Sequence, residues 1–159
     1  MPGAPPARAG LHRQAFYLGP VLIWMALIAL LSTDMGSAAR TSDPLLVLLY
    51  RLLRPGATLA PALVESLSEV TRKSAHVCEY GMLGLLLCRW LRAALPGSVW
   101  RLALLAVVLA TSYAGLDELH QALVPSRTGA LRDVGFDLLG AALGCVLYAW
   151  RRGLSRRRE

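Results

Sequence analysis

The stretch RDVGFDLLGAALG, residues 132–144, decides how the rest of the chain reads. Asp133 and Asp137 are four residues apart, so on a helix they share a face. The same stripe continues as Gly140 and Gly144, a small-xxx-small spacing that lets helices approach closely inside a membrane. Two carboxylates therefore lie on the face that two glycines press against a neighbour. Such a face demands partners for the carboxylates, and their sources can be sought outward along the chain.

The chain has 159 residues, the length of one domain, 1–159. It is 55% hydrophobic but only 7% aromatic, the surplus being Leu, Ala and Val. That is the composition of lipid-facing helices more than of a mixed soluble core. The net charge is +7, and the excess sits in the C-terminal RRGLSRRRE. No aromatic-interleaved basic patch or nucleic-acid motif accompanies it, so no nucleic-acid partner is expected. A basic tail beside an apolar helix reads as a topology signal. Cys78, Cys88 and Cys145 fall in apolar runs without a CxxC pair, and are expected to be small buried hydrophobes.

The pattern predicts an all-α membrane bundle of four transmembrane helices at 15–32, 74–92, 100–118 and 133–150, with tails at 1–14 and 151–159. PLLVLLYRLLR at 44–54 is too short to span and carries Arg51 and Arg54; it is expected to be an interfacial or re-entrant helix. From Pro61 the helical pattern runs to Arg92, so the second spanning helix should project beyond the bilayer. A cleaved signal peptide ending near the small residues 37–39 is the rival for the first segment, but Asp34 interrupts the approach to that site. Ten Lys and Arg fall on the side of the termini against seven on the other. The positive-inside rule then places both termini in the cytoplasm, across the cytoplasmic (inner) membrane, with 33–73 and 117–133 outside.

Ionisable groups gather near the outer ends of three of these helices. The second carries Lys73, His76, Glu79 and Tyr80; the third ends with Asp117, Glu118, His120 and Gln121; the fourth begins with Asp133 and Asp137. Each such group costs about 2.5–3.5 kcal/mol at the centre of a membrane helix and less toward the interface. Asp133 lies at a helix N-terminus, which stabilises an anion, whereas Asp117 and Glu118 approach a C-terminus and need partners. Lys73, Arg127, Arg132 and the histidines are the available ones. Any one pair reads most simply as an interhelical tie. The whole set, gathered at one membrane face, reads as a functional site. HVCE at 76–79 and DELH at 117–120 offer metal-type donors, but HExxH is absent, and no metal or other cofactor is expected. GxSxG, P-loop and GxGxxG motifs are also absent.

RKSAHVCEYGMLGLLLCRWL (72–91) and YAGLDELHQALVPSRTGALRDVGFDLLGAALG (113–144) together resemble the VanZ-like family of small bacterial membrane proteins. The first carries the pattern K-x-x-H-x-x-E-Y-x-x-L-G. The second carries D-E-x-H-Q-x-x-V-P-x-R followed by D-x-x-x-D-x-x-G-x-x-x-G. These patterns cover about a third of the chain in the family's order. Ser126 stands where Gly is frequent in the family. The resemblance implies a helical membrane protein and, for the founding member, increased resistance to teicoplanin-type glycopeptides; it implies no known reaction.

The leading expectation is an outer-face pocket that engages membrane lipid, specifically an anionic envelope lipid or a peptidoglycan precursor. Arg127 and Lys73 would take phosphate or carboxylate. His76, Glu79, Asp117, Glu118 and His120 would position hydroxyls or amides or move protons, with Tyr80, Gln121, Asp133 and Asp137 completing the lining. The alternatives are a membrane-embedded hydrolase or transferase using those His and carboxylate groups as catalytic acids and bases, and a structural or partner-binding module. Nothing in the sequence sets an oligomeric state.

Overall fold

The structure, a computed structural model, describes residues 7–33, 37, 42–55, 60–124 and 132–156, with the side chains of 7–13, 42 and 153–156 excepted. Those residues contain five helices and no strand: α1 Ala7–Leu31, α2 Ser42–Leu53, α3 Pro61–Ala94, α4 Val99–Ala122 and α5 Asp133–Arg156.

Local sequence explains the boundaries. α3 opens on Pro61, whose missing N–H belongs to a position without an intrahelical acceptor. It stops at Leu95, ahead of Pro96, and Gly97 takes φ 151°, a conformation that favours glycine. Arg92 closes this turn by donating from Nη1 to the Gly97 carbonyl at 2.8 Å. Ser98 then caps α4, its Oγ accepting from the Arg101 N–H at 3.3 Å. The short turn makes α3 and α4 antiparallel neighbours.

Side-chain pairs give the remaining directions. Arg89 lies over the rings of Phe16 and Tyr17, while Trp24 Nε1 donates to the Glu79 carbonyl at 2.9 Å. α1 therefore runs antiparallel to α3. α5 runs parallel to α3, since Arg72 meets Asp133 and Cys145 Sγ reaches the Gly84 carbonyl at 3.5 Å. The C-terminal ends of α1 and α4 and the N-terminal end of α5 thus share one end of the bundle. α2 attaches to the projecting part of α3, where the Ser68 hydroxyl donates to Asp43.

The α3–α5 seam is built from backbone. A Cβ added to Gly140 would sit 2.9 Å from Val77 Cα, and one on Gly84 would sit 2.6 Å from the Ala141 carbonyl oxygen. One added to Gly144 would overlap the Gly81 carbonyl. The inner face of α4 is equally spare: Ala103, Ala106, Ala110 and Ala114 are all buried. Small residues thus let three helix backbones converge, and Tyr80, Leu83 and Leu87 fill what remains.

The outside is apolar. Ile23 is 71% exposed and Leu116 65%, whereas Asp137 is fully buried. That inversion of a soluble protein's polarity fits hydrocarbon surroundings. α1, α4 and α5 contain stretches long and apolar enough to cross a membrane, at Gln14–Leu31, Val99–Ala122 and Asp133–Arg152. The chain is a multi-pass helical membrane protein. α3 differs from the fourth span expected at 74–92: its 34 residues are ample, but His76, Glu79 and Arg89 dilute its apolar run. It packs against all four other helices, so much of its surface faces protein. Two smaller expectations also change. Cys78 is exposed rather than buried. α4 continues through Ala122, so Asp117–Gln121 are helical and only the residues beyond lead toward α5.

Gly144→Leu must drive α3 and α5 apart and should destabilise the protein by at least about 1–3 kcal/mol. Gly115→Ala, which meets nothing within 4 Å, should leave stability unchanged or slightly raised. Thermal unfolding in detergent micelles measures both.

Candidate functional site

The inward stripes of α3, α4 and α5 are small and apolar along most of their length and become ionisable at the shared end. On α4, the alanine stripe continues as Asp117, Glu118 and Gln121, all buried. On α3 it reaches Tyr80 and His76, and on α5 it begins with Asp133 and Asp137, again all buried. Helical periodicity therefore carries the polar groups to the place where the glycines bring the backbones together.

Three linked sets occupy this end. In the first, His76 Nδ1 meets Asp137 Oδ1 at 2.8 Å, and ligand-type atoms of His76, Asp137 and Glu118 lie within 4.8 Å of one another. A carboxylate on Nδ1 orients the imidazole and leaves Nε2 as the other functional nitrogen. In the second, Asp117 accepts from the Ser32 hydroxyl at 2.5 Å and from Gln121 Nε2 at 3.0 Å, binding the end of α1 to α4. In the third, Arg72 and Asp133 pair at 3.0 Å. Asp133, at the first turn of α5, gains from the helix dipole as well. Beside these sets, the fully buried Tyr80 ring packs 6.4 Å from that of Tyr113, whose hydroxyl donates to the Met25 carbonyl at 2.7 Å.

Of the residues singled out in the sequence, His76, Tyr80, Asp117, Glu118, Gln121, Asp133 and Asp137 gather here. Glu79 is half-buried on α3, its carbonyl holding Trp24. Lys73 stands apart: its ammonium donates to Glu69 at 2.5 Å and lies 5.3 Å from the centre of the Phe136 ring. Lys73 in turn holds the Glu69 carboxyl below the ordinary carboxylate range. His120 is exposed, because three residues beyond Asp117 and one before Gln121 it turns away from the inner stripe. Arg127 lies outside the described residues.

Two members had no motif to announce them. Arg72 rather than Lys73 reaches α5, and spacing could have found it: Arg72, His76 and Tyr80 step by four, whereas Lys73 is three from His76. Ser32 follows the last turn of α1, and its only signal was its position at the polar end of an apolar run.

Lipid-facing leucines outside and a pinned cluster of acids, amide and imidazole inside define a class: multi-pass helical membrane proteins with a polar site built between the helices. The sequence model of the VanZ/LLP1 family matches residues 17–152, most of the chain, and the chain belongs to that family. The match takes in both the α3 residues and the α4–α5 residues of the site. No curated protein and no solved structure matches the chain.

Removing Arg72 leaves a buried carboxylate without its cation. Arg72→Ala should cost about 1–3 kcal/mol, and adding Asp133→Asn should restore part of that loss. A double-mutant cycle by thermal unfolding measures the coupling.

Proposed function

We propose that this VanZ-family protein works in the cell envelope, binding the polar head of an anionic envelope lipid or peptidoglycan precursor at the polar end of its bundle. The observation that carries this reading is the inward-facing set His76, Asp137, Glu118, Asp117 and Gln121, placed between helices whose outer faces are leucine-rich. A lipid can slide its chains along such faces while its head meets the polar end.

In this reading α3 also crosses the membrane, as a fourth span over 74–92. α2 rests at the interface, with Leu45, Leu48, Leu49 and Leu52 exposed along one side. The Arg excess near the termini supports a topology with both in the cytoplasm of an inner membrane and the polar end on the outer side. Lys73 and the exposed Arg132 offer cations for phosphate or carboxylate at this end, and Arg127 is assigned the same role from the sequence. The buried acids and Gln121 accept hydrogen bonds from hydroxyl, amide or amino groups of the head. Sequestering a glycopeptide's target in this way would alter susceptibility to teicoplanin-type compounds.

A second reading rests on the His76–Asp137 hydrogen bond. A histidine oriented by a carboxylate, with Glu118 alongside, is a general acid/base arrangement suited to a hydrolase or transferase acting on the same lipid heads.

In a strain lacking its own copy, the wild-type protein should shift susceptibility to a teicoplanin-type glycopeptide. Arg127→Ala and Lys73→Ala should move it back toward the deletion strain at unchanged membrane abundance, measured by immunoblot. Identical susceptibility in wild type, variants and deletion would remove the reading. Purified protein that converts a lipid-linked precursor, and loses that conversion in His76→Ala alone, would favour the enzyme.

A further inference from the structure

We infer that His76, Asp137 and Glu118 form a binding site for one divalent first-row transition ion of the zinc or manganese type. All three residues are buried, they come from three different helices, and one ligand atom from each lies within 4.8 Å of the others. Ligands about 2.0–2.2 Å from one ion stand roughly 3–3.5 Å apart, so small side-chain adjustments complete the arrangement. His76 and Asp137 already touch at 2.8 Å, and the ion takes the place of the proton between them.

A second observation also points to a cation. Asp137 Oδ2, Gln121 Oε1 and the Tyr80 hydroxyl are buried and have no hydrogen-bond partner among the described residues. Tyr80 is fully buried and adjoins both Asp117 and Asp137. Asp117 is served by Ser32 and Gln121, and Asp133 by Arg72, whereas one oxygen of Asp137 meets the His76 imidazole and the other has no hydrogen-bond partner among the described residues. A buried carboxylate oxygen left without a donor is a group that a cation satisfies.

The donor set selects the type of ion. One imidazole nitrogen with two carboxylate oxygens suits zinc, manganese or iron, whereas magnesium and calcium favour all-oxygen shells. Three protein ligands leave positions open, as in sites that hold a water or a substrate oxygen. The site stands whether or not a lipid head binds nearby, and metal content reports on it alone.

The full chain, purified in detergent, stripped with EDTA and then exposed to zinc or manganese chloride, should retain close to one equivalent of metal after desalting, by mass spectrometric metal analysis. The same metals should raise its melting temperature while magnesium does not. His76→Ala and Glu118→Gln should each weaken retention at least tenfold, with Asp133→Asn, Cys78→Ser and the exposed His120→Ala retaining it. No stoichiometric metal in the wild type, equal retention in His76→Ala and Glu118→Gln, or loss in His120→Ala would each overturn the site. Should the site variants fail to fold, the wild-type melting shift decides: a shift kept by His120→Ala and Cys78→Ser supports the site, and its absence overturns it.

Discussion

The close approach of α3 and α5 is the constraint on which the rest depends. Val77 and Gly81 meet Gly140 and Gly144 backbone to backbone, at a separation no side chain would tolerate. Only at that distance can the short side chain of Asp137 reach His76 and that of Asp133 receive Arg72. The alanine face of α4 closes the third side and delivers Glu118 to the same place. Glycine's usual cost in a helix, about 0.5–1 kcal/mol in water, is offset here by dispersion contacts over the whole seam and by the polar pairs it permits.

The polarity of the molecule follows from its solvent. In hydrocarbon, leucine on the outside costs nothing and an unsatisfied carboxylate is expensive, so ionisable groups turn inward and find one another. Ser32, Gln121, His76 and Arg72 provide the complementary groups. α3 shows how the rule bends. It carries more polar residues than its neighbours, and the other helices screen it.

Much of this was legible in the sequence because it rests on short-range periodicity. The Asp133–Asp137–Gly140–Gly144 stripe fixed which face of α5 is packed, and the run from Pro61 predicted one continuous α3. The family motifs then picked out seven of the residues that converge. The differences between the motif set and the buried set have a common physical origin. Lys73 and His120 belong to the motifs, yet their helical phase turns them from the core, while Arg72 has the right phase and no motif. Ser32 joins only through the tertiary contact of α1 with α4, which no local pattern encodes. The span expected at 74–92 is the least legible part, because hydropathy averages over all faces of a helix and the polar residues of α3 dilute its apolar run.

The polar pairs along the seam also settle a geometric ambiguity. Glycines spaced by four look the same after one helical turn, so small-residue packing alone would tolerate α5 sliding about 5.4 Å past α3 in either direction. Sliding one way would bring Asp133 beside His76, strand Arg72, and leave Asp137 facing Tyr80. Sliding the other way would set Asp137 beside Arg72 and His76 beside Ala141. Only the observed register matches both bases with both acids. The two acid–base pairs act as an index mark on an otherwise repeating track, a role for buried polar groups that is separate from any contribution to stability.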